Sequence, residues 1–333
     1  MKSFRYFNGV LLVVFLAGAA VFLVMATVQC APAGHGIAKE TPLEEIPFDG
    51  QATHGYLQTL CAIGPRPTGS EGMARQQAYL EKHFRACGAT VEYQRFQFAH
   101  PENGTPVVGA NLIFRWKPER RERILLCAHY DTLPLPLLDP PGSTRPFVGA
   151  EDNGGGVAIL MQLAHMLPEM LEKRQTRYGV DVVMLDAEEY MFRPRGRFCL
   201  GSEFFARQYA AGTDKTRGFS YVCGILLDMV TQKEVVLLRE RQSYQWRDTR
   251  PVVDEVWNTA RRLGVREFRP QTMASNILDD HVMLHNLGKI PVIDVIDLDY
   301  APWHTSADTP DKCSPLSMAR VGWVVSEWLA ERP

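Results

Sequence analysis

Apolar residues recur along this chain with two alternating periods from about residue 50 onward. Met73, Leu80 and Phe84 fall on one face of a helix, and Gly88 stands where a helix commonly ends. A later stretch is apolar almost all round, which predicts a helix that packs on more than one side. The pattern predicts helices over residues 70–87, 155–167 and 315–329.

Short apolar runs between turn residues predict the strands. Extended segments stand at residues 91–98, 111–116, 124–128, 182–185, 224–227, 235–238 and 291–296. The run over residues 124–128 has no polar interruption, as is typical of a strand buried on both faces. Because helical and extended patterns alternate, we expect one α/β domain over residues 51–333, folded as a three-layer sandwich.

The N-terminus has a different pattern. Lys2 and Arg5 precede an uncharged apolar run over residues 9–28, which is about long enough to span a bilayer. Positive charge before the run would keep the N-terminus in the cytoplasm and place the rest across the membrane. We therefore expect a signal anchor within residues 1–30, a linker over residues 31–50 and an extracytoplasmic domain, which would be secreted if the segment is cleaved.

Composition narrows the class of protein. The 333 residues are 46% hydrophobic and 22% charged, which is typical of globular proteins rather than disordered ones. The 36 basic and 38 acidic residues nearly balance, so no net field attracts nucleic acid and we expect no such partner. The seven cysteines include no Cys-x-x-Cys pair, so neither a zinc knuckle nor a redox motif is written here, and no disulfide is assigned.

Acidic and histidine residues recur where the predicted strands end. The residues in question are His129, Asp131, Glu188, Glu189, Asp228 and His304, together with Asp152 at the start of the apolar helix. In an open α/β sheet the carboxyl ends of the strands form the crevice in which ligands bind. Carboxylates gathered there need a cation to offset their repulsion. A mixed histidine and carboxylate set without cysteine suits Zn²⁺ at a catalytic site with an open coordination position.

The adjacent pair Glu188 and Glu189 is the sharpest local signal. On extended backbone neighbouring side chains point to opposite sides, so one carboxylate can bind a metal while the other acts as an acid or base. The spacing of His129 and Asp131 puts both side chains on one face, where Asp131 could orient the imidazole. Asp279 stands at a predicted helix start, where an acid is favourable as a cap.

The ordered set of these residues resembles the zinc aminopeptidase superfamily, which includes the glutaminyl-peptide cyclotransferases. The segments that carry the resemblance are Gly64-Pro65-Arg66, His129-Tyr130-Asp131, Gly149-Ala150-Glu151-Asp152, Glu188-Glu189, Leu226-Leu227-Asp228 and His304. The resemblance covers most of the chain after residue 50 and implies an α/β fold, a three-layer αβα sandwich with a central mixed, mostly parallel sheet. Two details resemble the cyclotransferase branch: Trp303 directly precedes His304, and Asp279 lies upstream.

The resemblance implies a metal site and a reaction. One Zn²⁺ would be held by Asp152, Glu189 and His304, and Glu188 would be the general acid and base. The substrates would be peptides or proteins with an N-terminal glutamine. Its α-amine would attack its own γ-carbonyl, which leaves pyroglutamate and releases ammonia.

The resemblance also implies how the substrate pocket is built. Asp228 and Asp279 would form a hydrogen-bonded proton network, and Trp303 would line the pocket. The sequence departs from the animal cyclotransferases at residues 190–194, which contain no tryptophan, whereas those enzymes have a pocket tryptophan shortly after the glutamate pair. This part of the wall must therefore be built differently.

Two other functions stay open. If His129 and Asp228 are also metal ligands, with Asp131 beside them, the site would bind two zinc ions and act as an aminopeptidase, in which Glu188 activates water. Alternatively, the chain could be a catalytically silent binding ectodomain, although the complete ligand set argues against that. One zinc and released ammonia would indicate cyclisation, whereas two zincs and a freed amino acid would indicate hydrolysis.

Overall fold

A central six-stranded sheet organises the chain, whose computed structural model describes residues 41–173, 176–193, 196–212 and 218–332. The strands are β1 (Thr90–Ala99), β2 (Pro106–Trp116), β3 (Glu122–His129), β4 (Gly179–Leu185), β5 (Ser220–Asp228), β6 (Leu237–Arg239), β7 (Phe268–Thr272) and β8 (Val292–Ile296). The main sheet has the order β1-β2-β4-β3-β5-β8. Its strands β4, β3, β5 and β8 pair in parallel, whereas β2 pairs antiparallel with both β1 and β4. The sheet is mixed and mostly parallel, as predicted.

Helices cover both faces of this sheet. They are α1 (Gly50–Ala62), α2 (Glu71–Ala86), α3 (Gly155–Lys173), α4 (Leu200–Ala211), α5 (Arg241–Gln245), α6 (Arg250–Leu263), α7 (Asp280–Gly288) and α8 (Pro315–Ala330). Along β3, Ile124 and Leu126 belong to the core shared with α1, α2, α3, α6 and α8. The alternate residues Leu125 and Cys127 belong to the core shared with α4 and α7. Because successive strand residues point to opposite faces, the fold is the predicted three-layer αβα sandwich.

The predicted helix ends are confirmed by their caps. The Ser70 hydroxyl accepts the Met73 N–H at 3.0 Å at the start of α2, and Gly88 beyond its end has a φ of 83°. At the start of α8 the Ser314 hydroxyl accepts the Leu316 N–H at 3.1 Å. Such side-chain caps satisfy N–H groups that have no partner within the helix.

The described part of the predicted linker belongs to the folded domain. Ile46 and Phe48 are buried with the side chains of α1, α3 and α8, and α1 already begins at Gly50. The prediction that a linker extends to residue 50 is therefore wrong for residues 46–50. The apolar pattern there is too short to predict burial, because Ile46 and Phe48 are buried by helices that are distant in the sequence.

The extended segment predicted at residues 235–238 is a strand only in part. β6 spans Leu237–Arg239 and pairs with β7 in a separate small sheet, so the strand begins two residues later than predicted. Val235 and Leu237 are buried, while Val236 is 40% exposed. That alternation fits a strand with one face in solvent.

The predicted anchor within residues 1–30 lies outside the described residues. Across the part of the chain that the structure describes, no helix has the length and apolar character needed to cross a bilayer. The anchor therefore stays a prediction.

Candidate active site

The carboxyl ends of β3, β4, β5 and β8 meet at one edge of the sheet, and the predicted site residues gather around this edge. They are His129, Asp131, Asp152, Glu188, Glu189, Asp228, Asp279, Trp303 and His304. All of them except the half-buried Trp303 are buried. The arrangement follows from topology, since parallel strands send their following loops to the same side.

Asp152, Glu189 and His304 come together as predicted. One ligand atom from each residue lies within 4.8 Å of the other two. The Nε2 atom of His304 is 2.6 Å from Oε1 of Glu189 and 3.6 Å from Oδ2 of Asp152. Three donors at this spacing can surround one ion with the bond lengths of about 2.0–2.2 Å that Zn²⁺ forms with nitrogen and oxygen.

Two of these three residues carry buried oxygens without partners. Oδ2 of Asp152 and Oε2 of Glu189 have no hydrogen-bond partner among the described residues. Within those residues the adjoining pocket wall contains no lysine or arginine. Because a buried polar atom without a partner costs about 1–3 kcal/mol, and more when it is charged, a divalent cation would relieve a real penalty here. The donor set, two carboxylates and an imidazole, fits Zn²⁺.

Glu188 lies beside these ligands without belonging to them. Its carboxylate is nearly buried, and its Oε1 accepts a hydrogen bond from the Cys199 thiol at 3.3 Å. Burial raises the pKa of Glu188 well above its ordinary value, and the carboxylates of Asp279 and Asp280 raise it further. A carboxyl group with a raised pKa can both accept and return a proton near neutral pH.

His129 forms a second group with Asp152 and Asp228. Its Nε2 is 3.1 Å from Oδ1 of Asp152 and 3.4 Å from Oδ1 of Asp228. Although burial opposes a charged imidazole, the nearby carboxylates of Asp131, Asp152 and Asp228 raise the pKa of His129 above its ordinary value. The ligand atoms of this second group also lie within 4.8 Å of one another. The geometry therefore contains both ligand sets predicted from the sequence, with Asp152 common to the two.

Asp131 holds the backbone of the glutamate pair. Its two carboxylate oxygens accept the N–H groups of Glu188 and Glu189, each at 3.0 Å. The predicted contact with His129 is longer, since Oδ1 of Asp131 is 3.5 Å from Nδ1 of the imidazole. Asp131 therefore mainly positions the two glutamates, and it orients the imidazole of His129 only through the longer contact.

The glutamate pair itself sits on a turn, which corrects the predicted extended backbone. β4 ends at Leu185, and Ala187 adopts a left-handed φ of 55°. The two carboxylates still diverge, because Glu189 contacts His304 and Glu188 contacts Cys199. The divergence comes from the turn and not from strand alternation.

Two residues with no role assigned from the sequence hold the segment that bears Asp152. The Asp308 carboxylate accepts the N–H groups of Glu151 and Asp152, at 2.9 and 3.2 Å. Arg66, which is buried, donates to the Gly149 carbonyl at 3.2 Å. Arg66 belongs to a segment that carries the family resemblance, so a signal existed for it. Asp308 lies four residues after His304, in a run that resembles hydrolytic aminopeptidases, but the resemblance gave this residue no role of its own.

A pocket of about 300 Å³ opens beside the ligand set. Trp303 lines it, as the resemblance implied, and stacks on His304 with the ring centroids 3.9 Å apart. Phe198 and Met229 supply further apolar wall. Phe198 follows the glutamate pair by about ten residues and so provides an aromatic side chain where residues 190–194 lack a tryptophan.

Asp279 lines the same pocket and caps α7. Its Oδ1 accepts the Asp280 N–H at 2.5 Å. Burial and the neighbouring Asp228 carboxylate raise the pKa of Asp279 to about 7. No direct hydrogen bond joins Asp228 to Asp279 in the described chain, so the predicted network does not run through such a contact. One oxygen of Asp279 accepts the cap hydrogen bond, and the other has no partner among the described residues.

A comparison with protein families matches residues 111–329 to the sequence model of Peptidase family M28. A curated relative, the glutaminyl-peptide cyclotransferase-like protein of Mus musculus, is 24% identical over 295 residues, which cover 83% of this chain and 74% of the relative. The match includes every predicted site residue, since all of them lie between residues 111 and 329. The superfamily resemblance drawn from the residues is thereby confirmed.

Solved structures with this fold include enzymes with two different names. Glutaminyl cyclase from Fimbriiglobus ruber has a TM-score of 0.80 and 35% identity over 85% of this chain and 95% of that one. A leucine aminopeptidase precursor from Bacteroides thetaiotaomicron has a TM-score of 0.77 and 29% identity over 86% of this chain and 99% of that one. The predicted zinc-aminopeptidase-like α/β fold is confirmed by these similarities.

Proposed function

Since the chain belongs to Peptidase family M28, we propose that it is a glutaminyl-peptide cyclotransferase. It converts the N-terminal glutamine of peptides or proteins into pyroglutamate and releases ammonia. The observation that carries the proposal is the placement of Glu188, a buried acid beside a three-residue candidate metal site and at the wall of a small pocket. The similarity to a glutaminyl cyclase at 35% identity supports the same choice.

The pocket suits one terminal residue that is folded on itself. Its volume of about 300 Å³ is at the lower end of the range for ligand sites. Polar residues form one wall and Trp303, Phe198 and Met229 form part of another. A glutamine side chain that bends back on its own amine is compact, so the apolar wall can hold it in the reactive geometry.

We assign one Zn²⁺ to Asp152, Glu189 and His304. When bound, the ion polarises the γ-carbonyl and offsets the negative charge that develops on its oxygen. His129 occupies the other side of Asp152, with its Nε2 at hydrogen-bonding distance from Oδ1.

Glu188 moves the proton. The α-amine nitrogen bonds to the carbonyl carbon of the side-chain amide, and the bond from that carbon to the amide nitrogen breaks. Glu188 accepts a proton from the attacking amine and returns it to the departing nitrogen, which leaves as ammonia. Asp228 and Asp279 line the pocket near Glu188, where their negative charge favours an amine at this position.

The decisive experiment incubates the purified protein with a peptide that begins with glutamine and weighs the product. Cyclisation predicts that the peptide loses the mass of one ammonia and that free ammonia appears in equal amount. Release of a free amino acid would instead identify a two-zinc aminopeptidase. Metal analysis should find that Asp152→Ala loses one zinc relative to the wild type under the first outcome and two under the second, because Asp152 belongs to both active-site ligand groups. An unchanged peptide and a metal-free protein would instead support the third hypothesis, a catalytically silent binding ectodomain.

We also propose that the substrates are met outside the cytoplasm. The support is the sequence alone, where Lys2 and Arg5 precede the apolar run, as is typical of an anchor whose C-terminal side is translocated. Proteolysis of intact cells or spheroplasts tests this. The domain should be cut by external protease without lysis and should pellet with membranes; protection from the protease would contradict the proposal.

A further inference from the structure

A cluster of two histidines and a cysteine lies where α1, α2 and α3 pack together, apart from the active site. His83 and Cys87 come from α2 and its C-terminal end, and His165 comes from α3. His165 stands ten residues beyond the start of α3, which is about 15 Å along a helix. The active-site ligand Asp152 precedes that start, so the cluster and the active site lie at different places along α3.

The sequence puts the α2 residues on one face. Residues four apart on a helix are neighbours on its surface, so the side chains of His83 and Cys87 both turn toward His165. The Nδ1 atom of His165 is 3.5 Å from the Cys87 sulfur, and the Nε2 atom of His83 is 3.9 Å from it. All three ligand atoms lie within 4.8 Å of one another.

These distances match a tetrahedral zinc site. With Zn–S near 2.3 Å and Zn–N near 2.0–2.1 Å, tetrahedral angles place sulfur and nitrogen about 3.6 Å apart. The observed separations of 3.5 and 3.9 Å fall on either side of that value. One ion fits between the three side chains with only small shifts.

The tautomer of His165 is arranged for a metal. Its Nε2 is 2.8 Å from the Tyr56 hydroxyl, which can accept the Nε2–H. The Nδ1 lone pair then faces the Cys87 sulfur. Ligand imidazoles in metal sites characteristically bind a polar group through their other nitrogen in this way.

His83 supplies the remaining nitrogen. Its Nε2 is 2.9 Å from the Met161 carbonyl oxygen, which can accept the Nε2–H, so an ion at this nitrogen takes the place of that hydrogen bond. His165 is exposed, which gives an ion a path from solvent. The fourth coordination position falls to water.

We propose that His83, Cys87 and His165 bind one Zn²⁺ that links α2 to α3, with α1 attached through the contact between Tyr56 and His165. A thiolate with two imidazoles is a borderline-soft set, which selects zinc over magnesium or calcium. The ion takes no part in the reaction. It stabilises the helical layer that carries the start of α3 behind the active site.

Cobalt titration of the metal-free full chain tests this site separately from the active site. Co²⁺ bound to a thiolate gives a sulfur-to-metal absorption band in the near ultraviolet, and the active-site ligands include no cysteine. We expect the wild type to show the band and Cys87→Ser to lose it together with one bound metal per chain. Cys61→Ser, at another buried cysteine of the same layer, and Cys199→Ala, beside Glu188, are the controls and should keep it.

Two further variants keep the test decisive if Cys87→Ser folds poorly. His165→Ala changes an exposed side chain and should remove the band, with the unfolding midpoint of the metal-free protein unchanged. Tyr56→Phe should weaken Co²⁺ binding about tenfold, since it removes the partner of His165. A wild type without the band, or a band that survives in Cys87→Ser or His165→Ala, would overturn the proposal and leave the cluster as helix packing.

Discussion

Both ends of the central sheet bury charged side chains. The buried acid at one end has partners for its charge within the chain, whereas buried acids at the other end have oxygens without a partner in the described chain. At the amino ends of the parallel strands, Asp181 on β4 is fully buried between Arg123, Tyr221 and Arg115. Nε of Arg123 is 2.9 Å and the Tyr221 hydroxyl 2.5 Å from its oxygens. The carboxyl ends carry acids that are buried as deeply, yet the oxygens of Asp152 and Glu189 include atoms without a hydrogen-bond partner among the described residues.

The contrast shows which buried charges point to function. A buried acid that is satisfied by fixed cations and hydroxyls needs nothing from outside the chain, so it contributes to the fold alone. A buried acid with free oxygens is stable only when something else supplies the missing charge. Burial by itself therefore does not identify the site, and neither do unpartnered oxygens alone, since Asp280 and Asp294 also carry them among the described residues. At Asp152 and Glu189 they coincide with ligand atoms that converge within 4.8 Å.

The largest effect is expected from replacing Glu188, the acid at the functional end of the sheet that is not a metal ligand. Glu188→Gln keeps the shape of the side chain but removes its ability to carry a proton, so turnover of a glutamine-initiated peptide should fall by about 10²–10⁴-fold. Zinc content should stay at the wild-type value. Glu172→Gln, at an exposed position of α3, is the control, and wild-type turnover in Glu188→Gln would remove that residue from the mechanism.

Removing the ion pair between Arg123 and Asp181 at the amino ends of the strands should lower the stability of the fold without changing catalysis. Arg123→Met leaves Asp181 without its main cation, which should lower the free energy of unfolding by about 3–5 kcal/mol. Turnover per folded molecule should not change. Denaturant unfolding and active-site titration measure the two quantities.

A double variant checks that interpretation. Replacing Asp181 by Leu together with Arg123→Met removes both charges, so part of the lost stability should return. If the double variant is no more stable than Arg123→Met alone, the lost backbone contacts of Arg123, and not the ion pair, explain the effect.

A positioning change at the functional end should have an intermediate effect. Asp131→Asn retains one acceptor oxygen, so one of the N–H groups of Glu188 and Glu189 loses its partner. We expect zinc affinity and kcat/KM to fall together by about 10–100-fold. A change in kcat/KM with unaltered zinc affinity would assign Asp131 to the substrate side instead.

The smallest effect is expected at Glu240, a buried acid whose partners are a histidine and two backbone N–H groups. Glu240 is buried, caps α5 through the N–H groups of Gln242 and Ser243, and lies 3.3 Å from Nε2 of His281. Although burial opposes its ionisation, the contact with His281 and these N–H groups lower the pKa of Glu240 from 4.5 to about 2. A depressed carboxyl pKa stabilises the fold above about pH 4.5, and this contribution is lost as the pH falls toward 2.

Unfolding measured from pH 6 to pH 2 tests the sign. Glu240→Gln should be less stable than the wild type by about 1–2 kcal/mol at pH 6, and the difference should vanish near pH 2. Glu45→Gln, at an exposed position, should follow the wild type throughout. A difference that grows on acidification would mean that the pKa of Glu240 is raised and not lowered.

Much of the fold and the ligand set could be predicted because they depend on local pattern and topology. Apolar runs that end in His129, Glu188–Glu189 and Asp228 fix strands, and parallel strands necessarily bring those ends together. Ser70 and Gly88 mark the ends of α2 by their own cap chemistry. These signals need no knowledge of what packs against them.

The remaining features depend on contacts between distant parts of the chain. Phe48 is buried by the side chains of α8. The residues near Phe48 in the sequence do not predict this contact, because α8 lies at the other end of the chain. The turn at Ala187 depends on Asp131 accepting the next two N–H groups. His83 and Cys87 read as an ordinary helix face until α3 places His165 opposite them.

Asp308 and His304 belong to one short span of chain, and this fixes its length. Within five residues the span supplies the imidazole of His304 and the Asp308 carboxylate that accepts the N–H groups of Glu151 and Asp152. Adding a residue inside it would displace a predicted metal ligand and the group that positions another, whereas lengthening the exposed stretch at residues 141–146 would move neither. Insertions engineered into this protein therefore belong in the second stretch and never in the first.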